Sequence, residues 1–417
     1  MTTAFTSHAP SGWADLPPDL LGDVSGRLHD AIDFTRFHAV CTPWREALLC
    51  QNAPRRAFLP YLVTPCKHLI LRSTVDFESV DTSESDTTCR RSCEDVVLVQ
   101  RPYAILTGNG DSGERNWVAC GDGSAAWIFS HRMLHNVLTG AVINLPLLPE
   151  PMRDRKFKPR MEDLRGIVYG DGTIFLYSIY DQYNGVPAIA AAILPAGGTL
   201  WTFVDKELRF YTRCSGHSVA AYHDGKILVC VDWHHRYVLN LDDSGSNNHV
   251  LQSWCIQNTE HKYRDDCFYV LESGCELLLV SILVKQDWSR RKADDNTAHA
   301  MSLRVHALEE QDEGGKVRWL ARDGQRLGDR VLFLGSPASF AMDATQLGMD
   351  GGCAYFIFKD GLFKYRFIND EAKLVTRLHP IWSANMTCVW LQPRPHFRPS
   401  GKKIETPKKK NQKVHQI

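Results

Sequence analysis

Five groups of residues in this 417-residue chain have side chains that could do chemistry if their spacing brought them together. Cys89 and Cys93 form the closest cysteine pair, but they flank two arginines in a Ser/Thr/Asp-rich stretch, and no second pair supplies the remaining ligands of a zinc site. "GNGDSG" at 108–113 has the glycine spacing of a phosphate-binding turn, yet no helix pattern follows it, and Asp111 and Glu114 would repel a pyrophosphate. It reads as a turn. "DWHHRY" at 232–237 offers adjacent histidines, but neighbours on a strand point to opposite faces and cannot share one ion, so a structural or rim role is expected. The acid pairs Asp265/Asp266, Asp294/Asp295 and Glu309/Glu310 sit in turn-like polar surroundings and read as solvated loops rather than acid/base partners. The lysines around "PKKK" at 407–410 could be a nuclear address, a weak nucleic-acid contact or a solvated end. No nucleophile elbow, P-loop or H-E-x-x-H pattern occurs. The expectation is a chain with no catalytic residues, no metal and no cofactor.

The bulk properties narrow the partners and the compartment. Forty-eight basic residues balance 48 acidic ones, so the net field favours neither nucleic acid nor an anionic membrane as a partner. The start "MTTAFTSHAPSGW" lacks the basic and apolar regions of a signal peptide, and no apolar run approaches the roughly 18 residues of a membrane span. A soluble protein of the nucleus or cytoplasm is expected. Thirteen cysteines scattered without paired spacing suit a reducing compartment, where they serve as small buried hydrophobes.

From about residue 57 the chain consists of short runs rich in β-branched and aromatic residues, broken by Gly, Asp and Asn turns. Aligning them on their turns exposes a repeat: "GDGSAAWIF", "GDGTIFLYS", "HDGKILVCV" and "ESGCELLLV", with turn glycines at 123, 172, 225 and 274, hence spacings of 49, 53 and 49. A fifth candidate, "DGGCAYFIF" around Gly352, follows after 78 residues. A period near 50 with about four strands per unit predicts a β-propeller, with a β-sandwich pair as the alternative. Around Gly225, "SVAAYH", "KILVCVD", "RYVLNLD" and "HVLQSW" supply one unit's four strands. About six blades are expected between residues 57 and 395. The polar stretch 73–95 reads as a mobile loop, and the tail 400–417, with six lysines against one glutamate, as disordered.

Ahead of this β-region, residues 13–50 read as three short helices. Pro17 and Pro18 precede Leu20, Leu21, Val24 and Leu28 at helical spacing; "DFTRFHAV" repeats the pattern; Thr42 and Pro43 suit the start of a third helix. Six acids against three arginines give this segment a charge of −3, and it has too few apolar positions for a core of its own. It calls for a partner surface.

Leu16-Pro17, Asp19-Leu20-Leu21, Leu28, Asp33, Arg36-Phe37, Val40-Cys41 and Trp44-Arg45 resemble the F-box, the helical module that docks on the Skp adaptor of cullin-based ubiquitin ligases. The remainder is similar to the plant domain of unknown function numbered 295 (DUF295), through "LTGAVINLP" at 138–146, "AAAILPAGGTLWTFV" at 190–204, "AAYHDGKILVCV" at 220–231, "YVLESGCELLLV" at 269–280, "RLGDRVLFLGSPASFAMDA" at 326–344 and "CAYFIF" at 353–358. The first of these departs from the usual Asn-Pro before Leu-Thr-Gly, since Val137 follows Asn136. The resemblance implies a mainly β protein in which an F-box at 13–50 precedes a propeller-like domain at 57–395. It further implies a substrate receptor that holds a protein target and contacts an adaptor, and through it cullin, with Leu16, Pro17, Leu20, Leu21, Val40, Cys41 and Trp44 at the adaptor interface and Trp44 as its hot spot. The competing readings are a propeller scaffold that degrades nothing and a propeller enzyme acting on a small metabolite.

Overall fold

The computed structural model describes residues 16–28, 31–41, 44, 60–63, 116–130, 132–137, 139–149, 164–181, 186–208, 218–231, 236–241, 251–254, 263–274, 276–285, 295–310, 317–377 and 389–392. The chain divides into two units, residues 1–54 with 394–417, and residues 55–393. The stretches 73–95, 108–113 and 400–417, with Cys89 and Cys93, lie outside the described residues, as do residues 42, 43 and 45–50 of the expected third helix.

The second unit is a succession of antiparallel meanders. After a short first strand, β1 (Tyr61–Val63), the first meander comprises β2 (Trp117–Cys120), β3 (Ala126–Ser130), β4 (Met133–Asn136) and β5 (Val142–Asn144). The next three are β6 (Arg165–Val168), β7 (Ile174–Asp181), β8 (Pro187–Leu194) and β9 (Thr202–Glu207); β10 (Val219–His223), β11 (Lys226–Cys230), β12 (Arg236–Asn240) and β13 (Leu251–Trp254); and β14 (Tyr263–Ser273), β15 (Glu276–Lys285), β16 (Met301–Glu310) and β17 (Val317–Arg322). A hairpin of β18 (Arg330–Leu334) and β19 (Phe340–Asp343) then precedes β20 (Cys353–Phe358), β21 (Gly361–Arg366) and β22 (Glu371–Arg377), all in one sheet, and β23 (Val389–Leu391) ends the series. This is the β-propeller architecture that the repeat predicts. Parallel pairing of β2 with β6 joins the first two meanders into one eight-stranded sheet, a link the repeat alone did not foreshadow.

The strand sequences explain this stacking. Every residue of β8 (PAIAAAIL) is buried, and β15 (ELLLVSILVK) is buried except at its ends, so neither strand alternates apolar with polar. Such runs belong to strands covered on both faces. The cover comes from neighbouring meanders: Phe175, Tyr177 and Ile189 pack with Ala220, Ile227 and Tyr237, while Val219, Leu228 and Val238 pack with Phe268, Val270 and Leu279. The core lies between meanders rather than inside any one of them.

The four repeated turns all join the first strand of a meander to the second, and Gly123, Gly172, Gly225 and Gly274 all have positive φ. Bonds at these turns tie each meander to the next. Gly121 N donates to Val168 O at 2.9 Å, and Tyr222 N donates to the Tyr169 hydroxyl at 2.7 Å. His223 Nδ1 meets Glu272 Oε1 at 2.9 Å, and Arg330 donates to Ser273 Oγ at 2.6 Å. The path returns to the beginning through β23, where Gln392 N donates to Gly123 O at 2.7 Å. Gly352 is not a fifth member of this set. It precedes β20, and the matching turn is Lys359–Asp360 between β20 and β21, because the β18–β19 hairpin is inserted ahead of it.

The two ends of the unit meet in β1 and β23, which pair antiparallel as Tyr61↔Leu391, Leu62↔Trp390 and Val63↔Val389. Leu62 and Trp390 pack into the cluster of Val331, Phe333, Phe340 and Tyr355, and Trp390 Nε1 donates to Leu334 O at 3.1 Å.

Two predictions follow from this packing. A Cβ at Gly123 would come within 2.2 Å of the Phe340 ring, whereas a Cβ at Gly225 meets nothing within 4 Å. Gly123→Ala should therefore cost about 2–4 kcal/mol and Gly225→Ala only about 1–2 kcal/mol, the second reflecting left-handed backbone alone. Urea unfolding of both variants measures the difference, and equal losses would disprove the packing account. His306, on β16 beside Arg236 and Arg304, has its pKa lowered to about 4 by burial first and those two cations second. The unfolded chain binds this proton more readily, so His306 contributes stability above about pH 6.5 that is lost as pH falls toward 4. His306→Gln should flatten the stability profile over that window in pH-dependent thermal melts.

Candidate functional site

The described helices of the first unit are α1 (Pro18–Arg27) and α2 (Ala31–His38). Pro17 caps α1 with extended backbone and Pro18 starts it, where its missing N–H costs nothing. Asp19 in the first turn and Arg27 in the last turn both complement the helix dipole. The two helices are joined by a 2.9 Å hydrogen bond between Ser25 Oγ and His38 Nε2. Rings assemble beside it: Phe34 and His38 lie 4.3 Å apart and Phe37 and Trp44 4.8 Å apart between centroids. Leu21, His38 and Trp44 are buried.

The seven residues expected at the adaptor interface are therefore not presented alike. Leu20 is 52% and Val40 60% exposed, and Pro17 is exposed, so these three are free to meet a partner. Leu16 and Cys41 are half-buried. Leu21 and Trp44 are buried, and the indole of Trp44 packs on Phe37. Val24, 45% exposed and one helical turn from Leu20, extends the outward apolar face. Its spacing was legible in the sequence, but nothing there distinguished an outward valine from an inward one.

The chemistry-bearing residues of the propeller are dispersed. Asp265 and Asp266 belong to strand β14, where the register shifts between Asp265 and Cys267, and not to a loop. Glu309 and Glu310 end β16, where Glu309 accepts two hydrogen bonds from Arg318, at 2.8 and 3.1 Å. Asp295 begins a short helix, Asp295–His299, and Asp294 lies outside the described residues. Of "DWHHRY", Arg236 and Tyr237 are buried in β12 and residues 232–235 are not described. Burial pushes the Cys120 thiol up to about 12, which leaves no thiolate nucleophile there. Among the described residues no three His, Cys, Asp or Glu side chains are placed to hold a metal ion.

Comparison with known proteins places the architecture. No curated protein matches the chain. Similar solved structures include a candidate 6-phosphogluconolactonase of Bacteroides fragilis (11% identity, 61% of this chain and 62% of that one, TM-score 0.27). Others are the lignostilbene dioxygenase of Pseudomonas brassicacearum (8% identity, 66% and 62%, TM-score 0.29) and the hydrazine synthase of Kuenenia stuttgartiensis (12% identity, 66% and 99%, TM-score 0.26). The matched region spans 62% of the length of each of the first two. At such scores these likenesses say nothing about activity. A family model described as the KIB1-4 beta-propeller matches residues 83–386, where the sequence alone suggested the domain numbered 295. That span covers the repeated turns and all four complete meanders, and the chain belongs to the KIB1-4 beta-propeller family.

Proposed function

We propose that this protein is the substrate-receptor subunit of a Skp-cullin-F-box ubiquitin ligase, in which the helical segment 13–50 docks the adaptor and the propeller at 57–395 binds a protein target. The observation that carries this reading is the exposure of the aliphatic side chains Leu20, Val24 and Val40 in a small helical segment, together with the Leu-Pro and Val-Cys-x-x-Trp-Arg residues that resemble the F-box. Exposed aliphatic side chains on short helices are what a partner groove buries. The chain performs no transfer chemistry in this reading, needs no cofactor, and works in the nucleus or cytoplasm alongside subunits that carry the thioester. Membrane and nucleic acid are not its partners.

The direct test is titration calorimetry of the full chain against a purified Skp adaptor. Binding is expected, with Leu20→Asp and Val40→Asp each weakening it by tenfold or more, about 1.4 kcal/mol. Trp44→Ala should instead lower the thermal stability of the helices, because it removes a ring packed on Phe37. A chain with no measurable affinity for the adaptor would end this reading. A protein starting at Arg55, the first residue of the second unit, should show a β-type circular dichroism spectrum, melt cooperatively and bind no adaptor. Aggregation of that protein would show that earlier residues are needed to complete the propeller.

A further inference from the structure

Among the described residues of α1, Leu21 is the buried side chain. One buried residue cannot by itself fix how a helix is rolled about its axis. The second point of attachment is Ser25, half-buried and one helical turn from Leu21, whose hydroxyl lies 2.9 Å from Nε2 of His38 on α2. Neither residue is a favourable local choice. A serine within a helix competes with the backbone for hydrogen bonds, and a buried imidazole costs desolvation unless its nitrogens find partners. Both residue types fit the bond that joins them.

The imidazole is held by rings of its own helix. Phe34, one turn earlier on α2, lies 4.3 Å from the His38 ring between centroids and Phe37 5.9 Å, and Phe37 packs in turn on Trp44. Val40 follows His38 by two residues, in a turn closed by bonds from Ala39 N to Arg36 O at 3.0 Å and from Val40 N to Phe37 O at 3.3 Å. On α1, the exposed Leu20 and Val24 immediately precede Leu21 and Ser25. One residue turns about 100° around a helix, so holding Leu21 and Ser25 against α2 holds Leu20 and Val24 away from it. A hydrogen bond is directional, and it restricts the roll of α1 more tightly than an apolar contact does.

We infer that Ser25 and His38 are a positioning pair: their bond fixes the roll of α1 against α2, and with it the arrangement in which Leu20, Val24 and Val40 are offered to a partner. This rests on the substrate-receptor reading for its purpose, and the test separates the two. Hydroxyl-radical footprinting of the free full chain, read by mass spectrometry, reports the exposure of Leu20 and Leu21 without any partner. Leu20 should be modified more than Leu21. Ser25→Ala, or His38→Phe, which keeps a ring but not the nitrogen, should shrink that ratio by about twofold or more. Ser25→Thr and His38→Gln, which keep a hydrogen-bonding group within reach, should restore it. Titration calorimetry against a purified Skp adaptor, well below the melting temperature of every variant, should show Ser25→Ala and His38→Phe each weakening binding by about fivefold. The double variant should bind about as well as either single one, because both substitutions remove the same bond. A lower melting temperature with affinity and footprint unchanged is what a merely structural pair would give, and it overturns the proposal. So do fully additive losses in the double variant. An unsubstituted chain with no adaptor affinity ends the receptor reading alone, and the footprint then decides this one.

Discussion

The propeller depends on one constraint: no meander can cover both of its own faces. A four-stranded sheet with apolar residues on each side is stable only between two neighbours, so the series must continue until its ends meet. Among the described residues the ends meet through three residue pairs, Tyr61–Val63 against Val389–Leu391. Those short strands are effective because they carry Leu62 and Trp390 into a ready-made cluster of Phe333, Phe340 and Tyr355. The backbone bond from Gln392 to Gly123 then joins the last described residue to the first repeated turn. Closure is therefore a packing event with a few hydrogen bonds to fix its register.

The same constraint settles where polar chemistry can reside. Between meanders, space is filled mainly with Ala, Val, Leu and aromatic rings. Arg236 is a buried exception, with Nη2 3.4 Å from Ser281 Oγ and its guanidinium 5.9 Å from the Phe268 ring centre. His306 stays neutral in this setting because proximity to Arg236 and Arg304 adds to the cost of burying a second charge. Groups held this way are structural. Exposed acids gather instead at the turns, where Asp122 and Asp171 accept bonds from Ser124 and Thr173 within their own loops.

Surface hydrophobes are the complement of this economy. In the helical unit, burial of Leu21, His38 and Trp44 leaves Leu20, Val24 and Val40 outside, because a ten-residue and an eight-residue helix have few positions with which to enclose anything. In the propeller, Leu147 and Leu200 flank residues that do pack inward, and their exposure is a consequence of the turn geometry at Pro146 and Trp201.

Much of this was readable in the order of residues. The spacing of Gly123, Gly172, Gly225 and Gly274 announced the repeat, and the runs around Gly225 matched β10 to β13 strand by strand, because an Asp-Gly turn between β-rich runs is a local instruction. The misread fifth turn at Gly352 shows the limit of that logic: positive φ is needed at many kinds of connection, and only the pairing of β18 with β20 reveals that this one is not a hairpin. The placement of Asp265, Asp266 and Glu309 on strands was hidden for a similar reason, since local polarity suggests a loop while strand pairing is decided by residues distant in the chain. Which of Leu20, Leu21 and Trp44 would face outward was equally beyond the sequence. Helical spacing names the apolar positions, but their direction depends on where Phe34, Phe37 and His38 come to rest, and that is set by packing in three dimensions.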